Sequence, residues 1–253
     1  MAMKENPRIA YLLHLADNAL VIGHRNSEWC GHGPVLEQDI ALTNLSLDQL
    51  GQARLLYQLA AGMIGDGATE DTLAYLRDVR GFRNCLMLEL PKGDWGFTVM
   101  RQYLFSLFQQ LQYRALCRST LPELAAIAEK SLKESTYHVR WSREWVVRLG
   151  DGTEESASRM RKAVEGLWPF SGELFLPSIH ETSCAAEGVG PDPASLREEW
   201  MRLVGETFEE ARLEAPVDAW AQTGGKEGLH TEHLGYLLAE MQFLQRAYPG
   251  NEW

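Results

Sequence analysis

Two pairs of polar residues sit three apart inside otherwise apolar helical stripes: Gln49 with Gln52, and Ser135 with His138. Residues at that spacing share a helix face, so each pair converges on one point. A Glu-x-x-His pair on each of two helices, plus one Glu from each of two others, holds two metal ions inside a helical bundle. The carboxylates bridge and neutralise the cations, and imidazole nitrogen suits iron. In this chain amides fill both positions of the first pair. A hydroxyl takes the carboxylate position of the second, and only His138 keeps a strong ligand.

Turning about 100° per residue groups Gln49 and Gln52 with Leu42, Leu45, Ala53, Leu56, Ala60 and Met63. Asn44, Asp48 and Arg54 fall on other faces. Ser135 and His138 share a stripe with Leu124, Ala128, Ser131, Ser142, Val146 and Leu149. Glu134 lies about 100° around from Ser135 and forms Glu-x-x-x-His with His138, a spacing that binds metal only with ligands from other helices. Those ligands are scarce. No Asp or Glu occurs from Gly96 to Pro122, and only Asp17 and Glu28 occur between Ile9 and Gly31. The position about thirty residues before Gln49, one ligand helix earlier, falls near Ala19. The expectation is a degenerate di-iron site at Gln49, Gln52, Ser135 and His138, with no metal, cofactor or catalytic residue in this chain. His138 is expected to hydrogen-bond Gln49, Gln52 or a buried water.

Other polar groups carry weaker chemistry. His230 and His233 are three apart, but no third ligand is evident, so hydrogen bonding at a loop-to-helix junction is favoured over metal. Gly224-Gly225-Lys226-Glu227-Gly228 follows no strand and lacks phosphate-loop spacing. Asp17, Asn18, His24, Trp29 and His32 cluster near the first turn without a Ser, Cys or Lys nucleophile in a recognisable arrangement. Trp141, Trp145, Trp168 and Trp200 are read mainly as core; Trp141 and Trp145 are also candidate anchors for a partner.

Helices must position all of these. Apolar periodicity predicts long helices over about 8–25, 35–63, 96–118 and 122–149, and a short one over 69–80. Further helices are expected over 154–175, 193–214 and 231–247, with a loop over 81–95. The connection lengths give two antiparallel hairpins joined by a long crossover through residues 64–95. That is the ferritin-like four-helix bundle, all-α, with additional C-terminal helices. One domain over 1–253 is expected, with its core bundle at about 7–149 and the additional helices at about 153–247.

The net charge of −11 argues against nucleic acid or an anionic membrane as partner. Cys30, Cys85, Cys117 and Cys184 form no CxxC pair, so a reducing cytoplasm is the simplest setting. Met1–Pro7 is polar rather than a signal peptide, and no apolar run reaches the length of a membrane span.

Four segments carry a resemblance that extends from residue 11 to 253. They are Glu28-Trp29-Cys30-Gly31-His32, Leu47-Asp48-Gln49-Leu50-Gly51-Gln52-Ala53-Arg54, Tyr137-His138-Val139-Arg140-Trp141-Ser142 and Thr223-Gly224-Gly225-Lys226-Glu227-Gly228-Leu229-His230-Thr231-Glu232-His233-Leu234-Gly235. Together they resemble the PaaC subunit family of phenylacetyl-CoA ring oxygenases. The resemblance implies a structural, ferritin-like subunit that pairs with PaaA, the related subunit holding the di-iron centre and the CoA thioester. It also implies a reductase with FAD, an iron–sulfur cluster and NADPH, and conversion of phenylacetyl-CoA to its ring 1,2-epoxide. The metal-bearing form of the motif, Glu-Leu-Gly-His-Ala-Arg, stands here as Gln49-Leu50-Gly51-Gln52-Ala53-Arg54. A ferritin-like oxidase with an altered site, a CoA-thioester binding module, and a homodimer of the chain on its own stay open.

Overall fold

A computed structural model describes residues 6–216 and 221–251. Eleven α-helices occur among them, and no strand: α1 Pro7–Ser27, α2 Leu36–Ile64, α3 Glu70–Tyr75, α4 Leu86–Glu89, α5 Trp95–Leu116, α6 Pro122–Gly150, α7 Glu154–Ser171, α8 Ile179–Ala186, α9 Arg197–Glu210, α10 Glu232–Met241 and α11 Phe243–Ala247. None is long and apolar enough to cross a membrane, among the described residues.

Local sequence sets the starts. The Asn6 side chain accepts from the Arg8 N–H with Pro7 in the first turn, Asp94 caps Phe97, and Thr153 caps Ser156. Such caps satisfy the free amides that every helix start leaves. α2 stops at Gly65, whose φ of 72° a residue with a Cβ rarely adopts.

α1 pairs with α2 and α5 with α6, and the α2 and α6 faces meet. The crossover from 65 to 94 carries α3, a 3₁₀ turn at Val79–Gly81 and α4. α7 lies along α5, α8 against α1, and α9 against α5 and α6. One hydrophobic cluster runs through these helices and α10. Within it Trp200 is fully buried and its indole N–H donates to Leu104 O at 3.0 Å.

Three segments differ from the periodicity. The helix expected to Arg80 ends at Tyr75, because the Arg77 guanidinium turns inward to Asp17 and to Gly81 O at 2.7 Å. Residues 179–186 form an unanticipated helix, opened by a reciprocal capping box between Ser178 and Glu181. The last helix breaks at Gln242, whose buried amide donates to Ala74 O and Arg77 O, both at 3.0 Å. Anchoring of that side chain to the crossover overrides the helical pattern.

Candidate functional site

The four long helices bring an amide layer to the middle of the bundle. α2 supplies Gln49 and Gln52, α5 supplies Gln109 and Tyr113, and α6 supplies Glu134 and His138. Gln49 Nε2 donates to Gln109 Oε1 at 2.9 Å, and Gln109 Nε2 returns a bond to Gln49 Oε1 at 3.2 Å. Gln109 Nε2 also reaches Gln52 Oε1 at 3.2 Å, which accepts in addition from the Tyr113 hydroxyl at 3.0 Å. Gln52 Nε2 donates to Glu134 Oε2 at 2.9 Å. Both Gln side chains of α2 are buried, as are Gln109, Tyr113 and His138.

His138 closes the layer towards the surface. Its Nδ1 lies 3.4 Å from Gln49 Nε2 and its Nε2 lies 3.0 Å from Asp48 Oδ2. An amide NH₂ only donates, so Nδ1 is the acceptor and Nε2 carries the proton given to Asp48. Asp48, placed off the buried face by the helical wheel, still reaches the ring because its side chain is only 37 % exposed and lies at the edge of the α2–α6 seam. The wheel locates a Cβ, not the end of a side chain. Ser135 is buried, but its hydroxyl turns back to Leu132 O at 3.2 Å and leaves the layer. Glu134 engages Gln52 and Lys130, not His138, so the Glu-x-x-x-His pair does not converge.

α1 meets this layer through Gly23, where an added Cβ would lie 3.3 Å from Gln49 Cβ. The close approach leaves no room there for a carboxylate side chain. On α5 Gln109 stands in for an acid, a role that a pattern of Asp and Glu does not reveal. A signal exists in the sequence all the same: Gln102, Gln109 and Tyr113 interrupt an apolar helix at helical spacing. The resulting donor set is three neutral amides, a phenol and one imidazole with both nitrogens engaged. It does not fit a di-iron centre, which takes about four carboxylates.

Elsewhere the polar residues form a clasp. Residues 224–231 fold back on the crossover through three buried carboxylates, Glu89, Glu173 and Glu181. Glu173 accepts the Gly224, Gly225 and Leu86 N–H groups at 2.8, 2.8 and 2.7 Å. The glycine stretch does hold an anion, the protein's own. Burial nonetheless raises the Glu173 carboxyl above the usual range. Lys226 Nζ is buried against Glu181 at 3.0 and 3.1 Å and against Leu174 O and Leu176 O. Burial would raise Glu181, but the His14 ring, Lys226 and the Ser178 N–H bring it below the usual range.

His230 joins the clasp through both nitrogens, Nδ1 to Glu89 Oε2 at 2.8 Å and Nε2 to Phe82 O at 2.9 Å. Two acceptors demand two N–H groups, so the ring is an imidazolium. Burial alone would lower it; Glu89 and the carbonyl more than reverse this, and it titrates above the ordinary value. No group of three or more His, Cys, Asp or Glu placed to hold a metal occurs among the described residues.

The tryptophans pack inward. Trp95 stands edge-on to Trp29, Trp141 and Trp145 with ring centroids 5.3, 6.0 and 5.9 Å away. Gln38 Oε1 accepts both the Trp141 and Trp145 indole N–H groups, at 3.1 and 2.8 Å. Trp141 and Trp145 therefore belong to an internal cluster and are not free as anchors, a correction to the sequence reading.

Two hairpins, a long crossover and a polar layer across the helices that elsewhere bear ligands define a ferritin-like bundle. The chain belongs to the phenylacetic acid catabolic protein family, whose model matches residues 1–253. It is 47 % identical over 248 residues to the PaaC subunit of 1,2-phenylacetyl-CoA epoxidase from Escherichia coli (strain K12), covering 98 % of this chain and 100 % of that one.

Proposed function

We propose that this chain is a non-catalytic structural subunit of a multicomponent phenylacetyl-CoA ring 1,2-epoxidase. It holds and supports a related, PaaA-like subunit that carries the di-iron centre, while a reductase with FAD, an iron–sulfur cluster and NADPH supplies electrons. The observation that carries this reading is the closed amide layer. Gln49, Gln52 and Gln109 satisfy one another where a working site presents carboxylates to metal. Full-length similarity to a PaaC subunit of an epoxidase supports the assignment to such a complex.

The test is co-expression with the PaaA-like subunit, followed by iron analysis of the complex and of each chain alone. Iron in the complex and in the PaaA-like subunit, with epoxide formed only when the reductase is added, supports the reading. Iron near two atoms per chain in this protein alone, with oxygen consumption, points to an altered oxidase instead. Heat on titrating phenylacetyl-CoA into the isolated chain points to a thioester-binding module.

A further inference from the structure

One side of the molecule, where the crossover meets the C-terminal helices, carries three neighbouring crevices. The first, about 400 Å³, lies between α1, α2 and α3, with Leu20, Leu50 and Ala53 in its lining and Arg54, Glu70 and Asp71 among its polar groups. The second, about 150 Å³, shares Asp71 and Tyr75 with it and reaches Leu76 and Tyr248. The third, about 480 Å³, lies between Asp78–Val79 and α10–α11 and includes Phe243 and Arg246. Arg246 ties the second to the third, donating to Tyr75 O, Leu76 O and Arg77 O and pairing with Asp78.

Large apolar side chains stand out of this surface: Leu76 is 54 % exposed, Phe243 61 % and Tyr248 53 %. Concave apolar sites flanked by projecting aromatics are what interface anchors use. The charges choose the occupant. Arg54 pairs with Glu70 and Arg246 with Asp78. Burial lowers the His24 ring below its ordinary value, so it adds no charge near neutral pH. That leaves Asp71, at the junction of the first two crevices, as the unmatched charge. A second copy of this chain, at net −11, would bring more negative charge.

We infer that this face docks another subunit of the same oxygenase, one presenting apolar anchors and a Lys or Arg that meets Asp71. The inference rests on the reading of the chain as an oxygenase subunit. It places the contact on α3, α10 and α11, away from the Trp95 cluster and from the exposed Leu36, Ile40 and Leu47 of α2.

Each other subunit of the oxygenase, purified and titrated singly against the full chain by biolayer interferometry, tests it. Asp71→Lys and Phe243→Asp change exposed side chains, and unchanged circular dichroism and melting verify their fold; Ile40→Asp is the comparison on α2. The expected result is that one subunit binds both face variants at least about tenfold more weakly. Its affinity for the wild type should fall as NaCl rises from about 0.05 to about 0.5 M, and less so for Asp71→Lys. Wild-type affinity of every subunit for both variants overturns the inference, whatever Ile40→Asp does. So does loss of self-association in Phe243→Asp with binding to other subunits intact, which makes the occupant a second copy. If no subunit binds even the wild-type chain, the proposed function itself fails and the docking inference falls with it.

Discussion

Gln49 of α2 and Gln109 of α5 face each other inside the bundle and exchange both amide hydrogen bonds, at 2.9 and 3.2 Å. A reciprocal pair of neutral amides needs no counter-charge and leaves no orphan group in the core. Two helices that elsewhere meet through metal and carboxylate are joined here by hydrogen bonds alone.

Removing one member should expose the value of that layer. Gln109→Leu leaves Gln49 and Gln52 with unpaired buried groups, and each such group costs about 1–3 kcal/mol. A urea denaturation series should show a loss of about 2–4 kcal/mol. Wild-type stability in Gln109→Leu would mean the layer is dispensable.

The two enclosed histidines titrate in opposite directions. Burial lowers His14; its Nδ1–H donates to Arg83 O at 2.7 Å and Nε2 faces the Asn18 amide at 3.3 Å, the pattern of a neutral ring. Below an unfolded value of about 6.5 the unfolded chain takes up a proton that this ring refuses, so its contribution is lost as pH falls. For His230, raised by Glu89, the contribution is full below about 6.5 and is lost as pH rises through the folded value. Nitrogen-15 imidazole spectra near neutral pH should show His14 neutral and His230 doubly protonated. The reverse assignment would contradict the clasp geometry.

Breaking the buried ion pair should cost more than removing it. Lys226→Met strands the Glu181 carboxylate beside His14, a loss of about 3–5 kcal/mol. Adding Glu181→Gln keeps an oxygen to accept from Ser178 and removes the stranded charge, so the double variant should recover part of that loss. Additive losses in thermal or chemical unfolding would rule this out.

Two glycines should respond with opposite signs. At Gly225 an added Cβ would sit 2.2 Å from Asn84 O, so Gly225→Ala must push the clasp off the crossover. At Gly62, inside α2, nothing lies within 4 Å, and Ala should stabilise by about 0.5–1 kcal/mol. Melting temperatures of the two variants decide it.

The bundle was legible because Pro7, Pro122 and the long apolar stripes mark helices that pack on their own faces. The degenerate positions were legible for the same reason: Gln49, Gln52 and His138 interrupt a stripe. Gln109 was not, because ligand patterns are written in acids and the layer is built from amides. The clasp was opaque because Glu89, Glu173 and Glu181 find their donors about 50 to 140 residues away in sequence; no periodicity records such pairings. Gln242 broke a helix for a like reason, its partners lying on the crossover.

The central claim is that this chain supports the oxidation without performing it. The direct measurement is epoxide formed per unit time by the reconstituted oxygenase carrying His138→Ala together with Gln49→Ala in this chain, normalised to assembled complex. Turnover within about twofold of wild type, with iron content unchanged, is the predicted result. A loss of turnover by about a hundredfold or more in complexes that still assemble and still hold iron would place reacting chemistry in this chain and contradict the account.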